Sequence, residues 1–160
     1  LLDDSIEQIL VLYADQPFVS DETIHNLIHR KQNSDSSLTI ATALIEDEAL
    51  FKDQFYNFGR IIRDDSNHIK AIVERKDATE KQIDIREVNP AYFCCDIPWA
   101  INCLKMLKND NSQGEYYLTD LVKMAFEEPH HIESIQINQK EALGANTPEQ
   151  LAVLEEYLNK

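Results

Sequence analysis

Apolar positions in this chain fall into short β-type runs, set apart by stretches that carry helix start and stop signals. The first run, Ile9 to Leu12, continues into Tyr13-Ala14-Asp15-Gln16-Pro17 and stops at a carboxylate. It reads as a buried strand that delivers Asp15, its last residue, to the edge of a sheet. In open α/β sheets that edge is where ligands bind.

Ser20-Asp21-Glu22-Thr23 predicts a helix start, with a capping hydroxyl and acids in the first turn, running to about Arg30 and Lys31. Asn33 to Ser37 is a polar turn, and Leu38 to Leu44 (LTIATAL) is strand-like. Gly59–Arg63 and Ile69–Glu74 flank Asp64-Asp65-Ser66-Asn67 and predict a hairpin. Asp77-Ala78-Thr79-Glu80 resembles a capping box opening a short helix. Arg86 to Cys95 reads as one strand despite Pro90. Helices are expected from Pro98 to Leu107 and from Leu118 to Glu127, with a strand over Ile132–Ile137. Thr147-Pro148-Glu149-Gln150 combines a capping Thr, Pro at the first helical position and Gln three residues after the cap. Alternating strands and helices predict an α/β fold, with a mixed sheet because of the hairpin.

Composition narrows the class. The chain has 160 residues, 43% hydrophobic and 28% charged, enough for one domain with a core. No apolar run approaches the roughly 20 residues that span a bilayer, so no membrane role is expected. The net charge of −14 argues against nucleic-acid binding, which needs clustered cations, yet leaves room for an anionic small ligand in a locally positive site. Cys94, Cys95 and Cys103 form neither a disulfide framework nor a zinc spacing and read as buried thiols in a reducing cytoplasm. The chain does not begin with Met and shows no signal peptide, which suggests a processed or truncated product.

Taken in order, several blocks carry a resemblance. They are Tyr13-Ala14-Asp15-Gln16-Pro17, Phe58-Gly59-Arg60-Ile61-Ile62-Arg63, Ile72-Val73-Glu74-Arg75-Lys76-Asp77-Ala78-Thr79, Glu87-Val88-Asn89, Gln113-Gly114-Glu115-Tyr116-Tyr117-Leu118-Thr119-Asp120 and Gly144-Ala145-Asn146-Thr147. Across essentially the whole chain the set resembles the uridylyltransferase domain of bacterial N-acetylglucosamine-1-phosphate uridylyltransferases. The implied architecture, over residues 1–160, is the C-terminal portion of a Rossmann-like nucleotide-diphospho-sugar transferase domain, with a mixed sheet and a β-hairpin arm. The implied reaction joins UTP and N-acetylglucosamine 1-phosphate, giving UDP-N-acetylglucosamine and pyrophosphate, with Mg2+ as cofactor and a cytoplasmic location. Position by position, Tyr13, Ala14 and Asp15 match the nucleotide-side segment. Asp15 and Asn146 match the magnesium ligands and carry the catalytic role. Gly59, Glu74, Asn89 and Thr119 match the sugar pocket.

The residue chemistry agrees with these roles. Magnesium prefers oxygen ligands and keeps waters and substrate phosphates, so one carboxylate and one amide oxygen suffice from the protein. Simpler readings stand beside each residue. Asp15 could close a turn, Asn146 could extend a helix cap, Glu74 could form a surface ion pair, and Asn89 could be plain extended chain before Pro90. His25 and His29, at i,i+4, read as a solvated helix face, Tyr116 and Trp99 as packing, and His130-His131 as an exposed loop.

Four departures stand out: Ala14 and Ala91 replace usual glycines, Asn57-Phe58 replaces Gly-Tyr, and Ile45 to Asn57 is longer than usual. The family's opening strand and Gly-rich triphosphate loop have no counterpart here, since only Leu1 to Glu7 precede the Asp15 strand. Nor does the acetyltransferase half. A half-site follows, with two alternatives: a non-catalytic sugar-phosphate-binding or assembly module that works only with a missing upstream segment or a partner chain, as in a homo-oligomer, and a related transferase using another sugar or nucleotide. The 160 residues alone are therefore expected to release no pyrophosphate from UTP and N-acetylglucosamine 1-phosphate in a coupled assay; robust turnover would sink the half-site reading.

Overall fold

The computed structural model describes residues 5–127 and 132–158. His130 and His131 lie outside the described residues. Seven strands form one mixed, mostly antiparallel sheet: β1 (Gln8–Val11), β2 (Leu38–Leu44), β3 (Gly59–Arg63), β4 (Ile69–Val73), β5 (Glu87–Asn89), β6 (Phe93–Asp96) and β7 (Glu133–Ile137). The order is β1-β6-β2-β5-β3-β4, and β7 joins β2 as the parallel pair.

Strand β2 organises the sheet. Leu38–Ile40 pair with Cys95–Phe93 of β6, and Ala43–Leu44 pair with Val88–Glu87 of β5. Thr39–Ala43 pair along the other edge with Glu133–Ile137. Its side chains alternate between two cores, as the strand period requires. Ala41 and Ala43 join Leu27 of α1 (Asp21–Gln32), Phe55, Leu143 and Leu154 of α6 (Pro148–Leu158). Leu38 and Ile40 join Ile61, Phe93, Cys103 of α4 (Ile97–Met106) and Val122 of α5 (Asp120–Phe126). Helices on both faces explain why β2 is buried at every position but its last.

The expected elements are present, with four corrections. The strand expected over Arg86–Cys95 is two strands. Proline cannot donate to a ladder, and Ala91 after it takes φ +64°, turning the chain between β5 and β6. The strand expected to end at Asp15 ends at Val11, and it is a half-buried outer strand rather than a fully buried one. The capping box lies two residues later than expected: Thr79 caps α3 (Glu80–Ile83), and the Gln82 side chain accepts from the Thr79 N–H at 2.9 Å. Tyr116, read as core, is 67% exposed.

The segment between β2 and β3 is helical, with α2 (Glu48–Leu50) running into a π-helical turn over Phe51–Phe55. Fully buried Arg60 holds it in place. Its guanidinium donates to the carbonyls of Phe55 and Phe58, to that of Tyr56 at 2.8 Å and, through Nε, to that of Ile83 at 3.1 Å. It also lies over the Phe51 ring, 4.9 Å from its centroid. A side chain of similar length without donors strands these carbonyls. Arg60→Met is therefore expected to cost about 3 kcal/mol in urea unfolding, from charged hydrogen bonds lost in a buried setting. An unchanged midpoint would contradict this role.

Candidate functional site

A cleft of about 240 Å³ opens where several stretches of chain converge: the turn after β1, the start of β3 with the ends of β4 and β5, the residue before α5, and the segment before α6. Its walls include Tyr13, Asp15, Gly59, Glu74, Asn89, Thr119 and Asn146. These are the residues expected from sequence, save Ala14, which sits exposed on the turn and does not line the cleft. Gln16, Asn57, Phe58, Pro90 and Ala91 complete the walls.

On one side, Tyr13 and Asp15 are presented by a tight turn in which the Gln16 N–H donates to the Tyr13 carbonyl at 3.3 Å. The Asp15 carbonyl in turn accepts from the Ala145 N–H at 3.2 Å, which brings the segment before α6 alongside. Gly144 eases that approach, since a Cβ there would crowd the Asp15 carbonyl oxygen at 3.2 Å. Asn146 follows. Its backbone N–H donates to Gln150 Oε1 at 2.8 Å and Thr147 Oγ1 accepts from the Gln150 N–H at 3.2 Å, so the cap expected for α6 is present. The Asn146 backbone serves the cap while the residue also lines the cleft.

The opposite side is built from strand ends. Glu74 forms no ion pair with Arg75 or Lys76. Arg75 instead lies over the Tyr56 ring and donates to its hydroxyl at 2.6 Å, and Lys76 donates to Gln113. Glu74 is half-buried and accepts from Thr119 Oγ1 at 2.9 Å. Burial pushes its carboxyl above the usual range; the Thr119 bond opposes this, and Asp77 and Asp120 add to it. Asn89 is buried at 5% exposure, and its Oδ1 accepts from the Ala91 N–H at 2.9 Å, so it is more than extended chain. Its amide NH2 is the group left to face a ligand as a donor. Gly59 is buried against Glu74: a Cβ there would lie 2.7 Å from Ile72 Cγ2 and 3.4 Å from Glu74 Oε1.

The donor set fits a hard divalent cation. A carboxylate (Asp15) and an amide oxygen (Asn146) share one cleft, beside a glycine cradle that a Cβ would fill. Among the described residues no cluster of three or more His, Cys, Asp or Glu side chains offers an alternative, and His25 and His29 are exposed. All three cysteines are buried, and burial raises the Cys94 thiol and lifts Cys95 to about 12, which disfavours their reactive thiolates. No helix of the described residues is long and apolar enough to cross a membrane.

The fold is similar to that of solved structures that share only about 15% of its residues. A 4-diphosphocytidyl-2C-methyl-D-erythritol synthase from Anaerococcus prevotii matches 99% of this chain and 62% of its own at a TM-score of 0.61 and 15% identity. Along nearly its whole length the chain corresponds to a segment of the bifunctional protein GlmU. It is 36% identical over 150 residues to that of Clostridium novyi and 37% identical over 153 residues to that of Alkaliphilus metalliredigens, covering 94% and 95% of this chain. The chain spans 31% and 32% of the length of these relatives. No family model matches it.

The raised Glu74 carboxyl has a consequence for stability. Below the ordinary glutamate value both folded and unfolded chains hold the proton, and burial carries no ionic penalty. As pH rises from that value through the raised folded one, the unfolded chain ionises first and stability falls. Glu74→Gln keeps an oxygen for Thr119 and cannot ionise. Its melting temperature is expected to exceed that of the wild type at neutral pH and to converge with it near pH 4. Equal melting curves at neutral pH would contradict a penalised carboxylate.

Proposed function

We propose that this chain forms the sugar and cation side of a sugar-1-phosphate uridylyltransferase site. The observation that carries this reading is the convergence of Asp15, Asn146, Glu74, Asn89, Gly59 and Thr119, scattered along the sequence, on one cleft. The favoured substrates are N-acetylglucosamine 1-phosphate and UTP, by similarity to GlmU along this segment. Glu74 is an acceptor for sugar hydroxyls, and Asn89 is a donor for a hydroxyl or acetamido oxygen. Both sit where a mismatched sugar leaves a buried polar group unpaired. Gly59 keeps the wall beside Glu74 free of a side chain.

Asp15 and Asn146 would hold Mg2+, which, when bound, neutralises phosphate charge during transfer. Transfer is attack by the sugar-phosphate oxygen on the α-phosphorus of UTP with departure of pyrophosphate. The protein's part is to orient and to bind, and no protein nucleophile is called for. A cytoplasmic setting accords with the buried thiols.

A second reading is a sugar-phosphate-binding module that works together with a further segment or partner chain. It is favoured by the outer position of β1 and by the apolar groove beside it, lined by Ile9, Val11, Phe93, Ala100, Leu104 and Leu118. Binding of the sugar phosphate without pyrophosphate release would favour it.

Calorimetric titration of N-acetylglucosamine 1-phosphate into the chain tests the pocket. Asn89→Ala and Glu74→Gln are each expected to weaken binding about tenfold, the worth of one buried hydrogen bond. Lys52→Ala, at an exposed residue that does not line the cleft, should change nothing. Equal affinity for glucose 1-phosphate, or indifference to both pocket variants, would overturn the assignment.

A further inference from the structure

Gln16 follows Asp15 in the turn after β1 and lines the same cleft. At 8% exposure it is buried, and its Oε1 is enclosed without a hydrogen-bond partner. Buried amide oxygens in folded proteins are satisfied by protein, by water or by ligand. The room for this side chain is specific. A Cβ on Gly144 would come 3.0 Å from Gln16 Cγ, so Gln16 packs directly against the stretch that leads to Asn146. Its own N–H is committed to the Tyr13 carbonyl, and the neighbouring Ala145 N–H to the Asp15 carbonyl. Gln16 is thus packed where the turn that carries Asp15 meets the segment that carries Asn146.

An amide oxygen there has the chemistry to accept a hydrogen bond from a water in the coordination shell of a hard cation, which retains several waters. We propose that Gln16 is a positioning residue of the cation site: its carboxamide oxygen anchors a cation-bound water and thereby fixes the cation between Asp15 and Asn146. The inference rests on the cation reading of those two residues.

Mn2+ titration of the 160-residue chain, followed by the electron paramagnetic resonance of free Mn2+, tests it without requiring turnover. Gln16→Met keeps the length and loses the acceptor, and is expected to weaken Mn2+ binding about tenfold, as outer-shell changes do. Gln16→Glu keeps an acceptor and restores binding. Thermal melting without metal should show Gln16→Met at least as stable as the wild type, because it removes a buried oxygen that has no partner. If Asp15→Asn abolishes binding while Gln16→Met binds as the wild type does, the role of Gln16 is overturned and the cation site stands. If Asp15→Asn binds normally, or the wild type binds no Mn2+, the cation site falls and this inference with it. Weakened binding of N-acetylglucosamine 1-phosphate in chelator, with Mn2+ affinity unchanged, would place Gln16 on the sugar instead and overturn the proposal.

Discussion

The architecture depends on one edge of β2 being shared between two strands. The chain from Glu87 to Asp96 satisfies that edge in two pieces, β5 against Ala43–Leu44 and β6 against Leu38–Ile40. Between them the Ala41 N–H still finds the Tyr92 carbonyl at 3.0 Å, so the ladder barely misses a step. The change of direction is taken up by Pro90 and by Ala91 at φ +64°. A left-handed alanine is disfavoured and persists only where the surroundings over-determine it. Here the flanking pairings and the Asn89 side chain do so. The break turns β6 toward β1 and releases β5 toward β3, and it sets Asn89, Pro90 and Ala91 on the wall of the cleft. Sheet continuity and site geometry are the same constraint.

The two sides of the cleft differ electrically in a way that suits their proposed ligands. Glu74 is drawn into a poorly solvated place where its charge is disfavoured, a setting in which a sugar hydroxyl is a welcome donor. Asp15 and Asn146 are exposed, within reach of solvent and of a hydrated ion. A protein of net charge −14 must offset its own field to accept a phosphate ester, and oxygen ligands for a divalent cation are one means of doing so.

Much of this was legible in the sequence because local signals and tertiary context agreed. The LTIATAL run, the hairpin around Asp64–Asn67 and the Thr147-Pro148 start all lie where pattern alone puts them. The misplaced features share a cause. Arg86–Cys95 reads as one strand through Pro90, and only the pairing with β2 shows that the chain breaks there and resumes as β6 three residues later. The π-helical turn at Phe51–Phe55 is fixed by the Arg60 guanidinium on its carbonyls, a side-chain-to-backbone contact that hydrophobic periodicity does not register. Tyr116 faces outward while Tyr117 donates to Asp77 at 3.1 Å and accepts from Gln113 at 2.7 Å, so its place is set by polar partners rather than by periodicity. Gln16 carries no motif signal, and its burial beside Gly144 emerges only from the fold.

The Glu74–Thr119 bond reaches beyond the cleft wall. Thr119 immediately precedes α5, so the carboxylate is tied to the start of a helix packed on the second core. Asn89 is likewise held through its own oxygen by the Ala91 N–H. Both groups have therefore surrendered their rotamer freedom during folding. A ligand that meets them has little ordering left to impose, and its association becomes a matter of shape and desolvation rather than of induced fit.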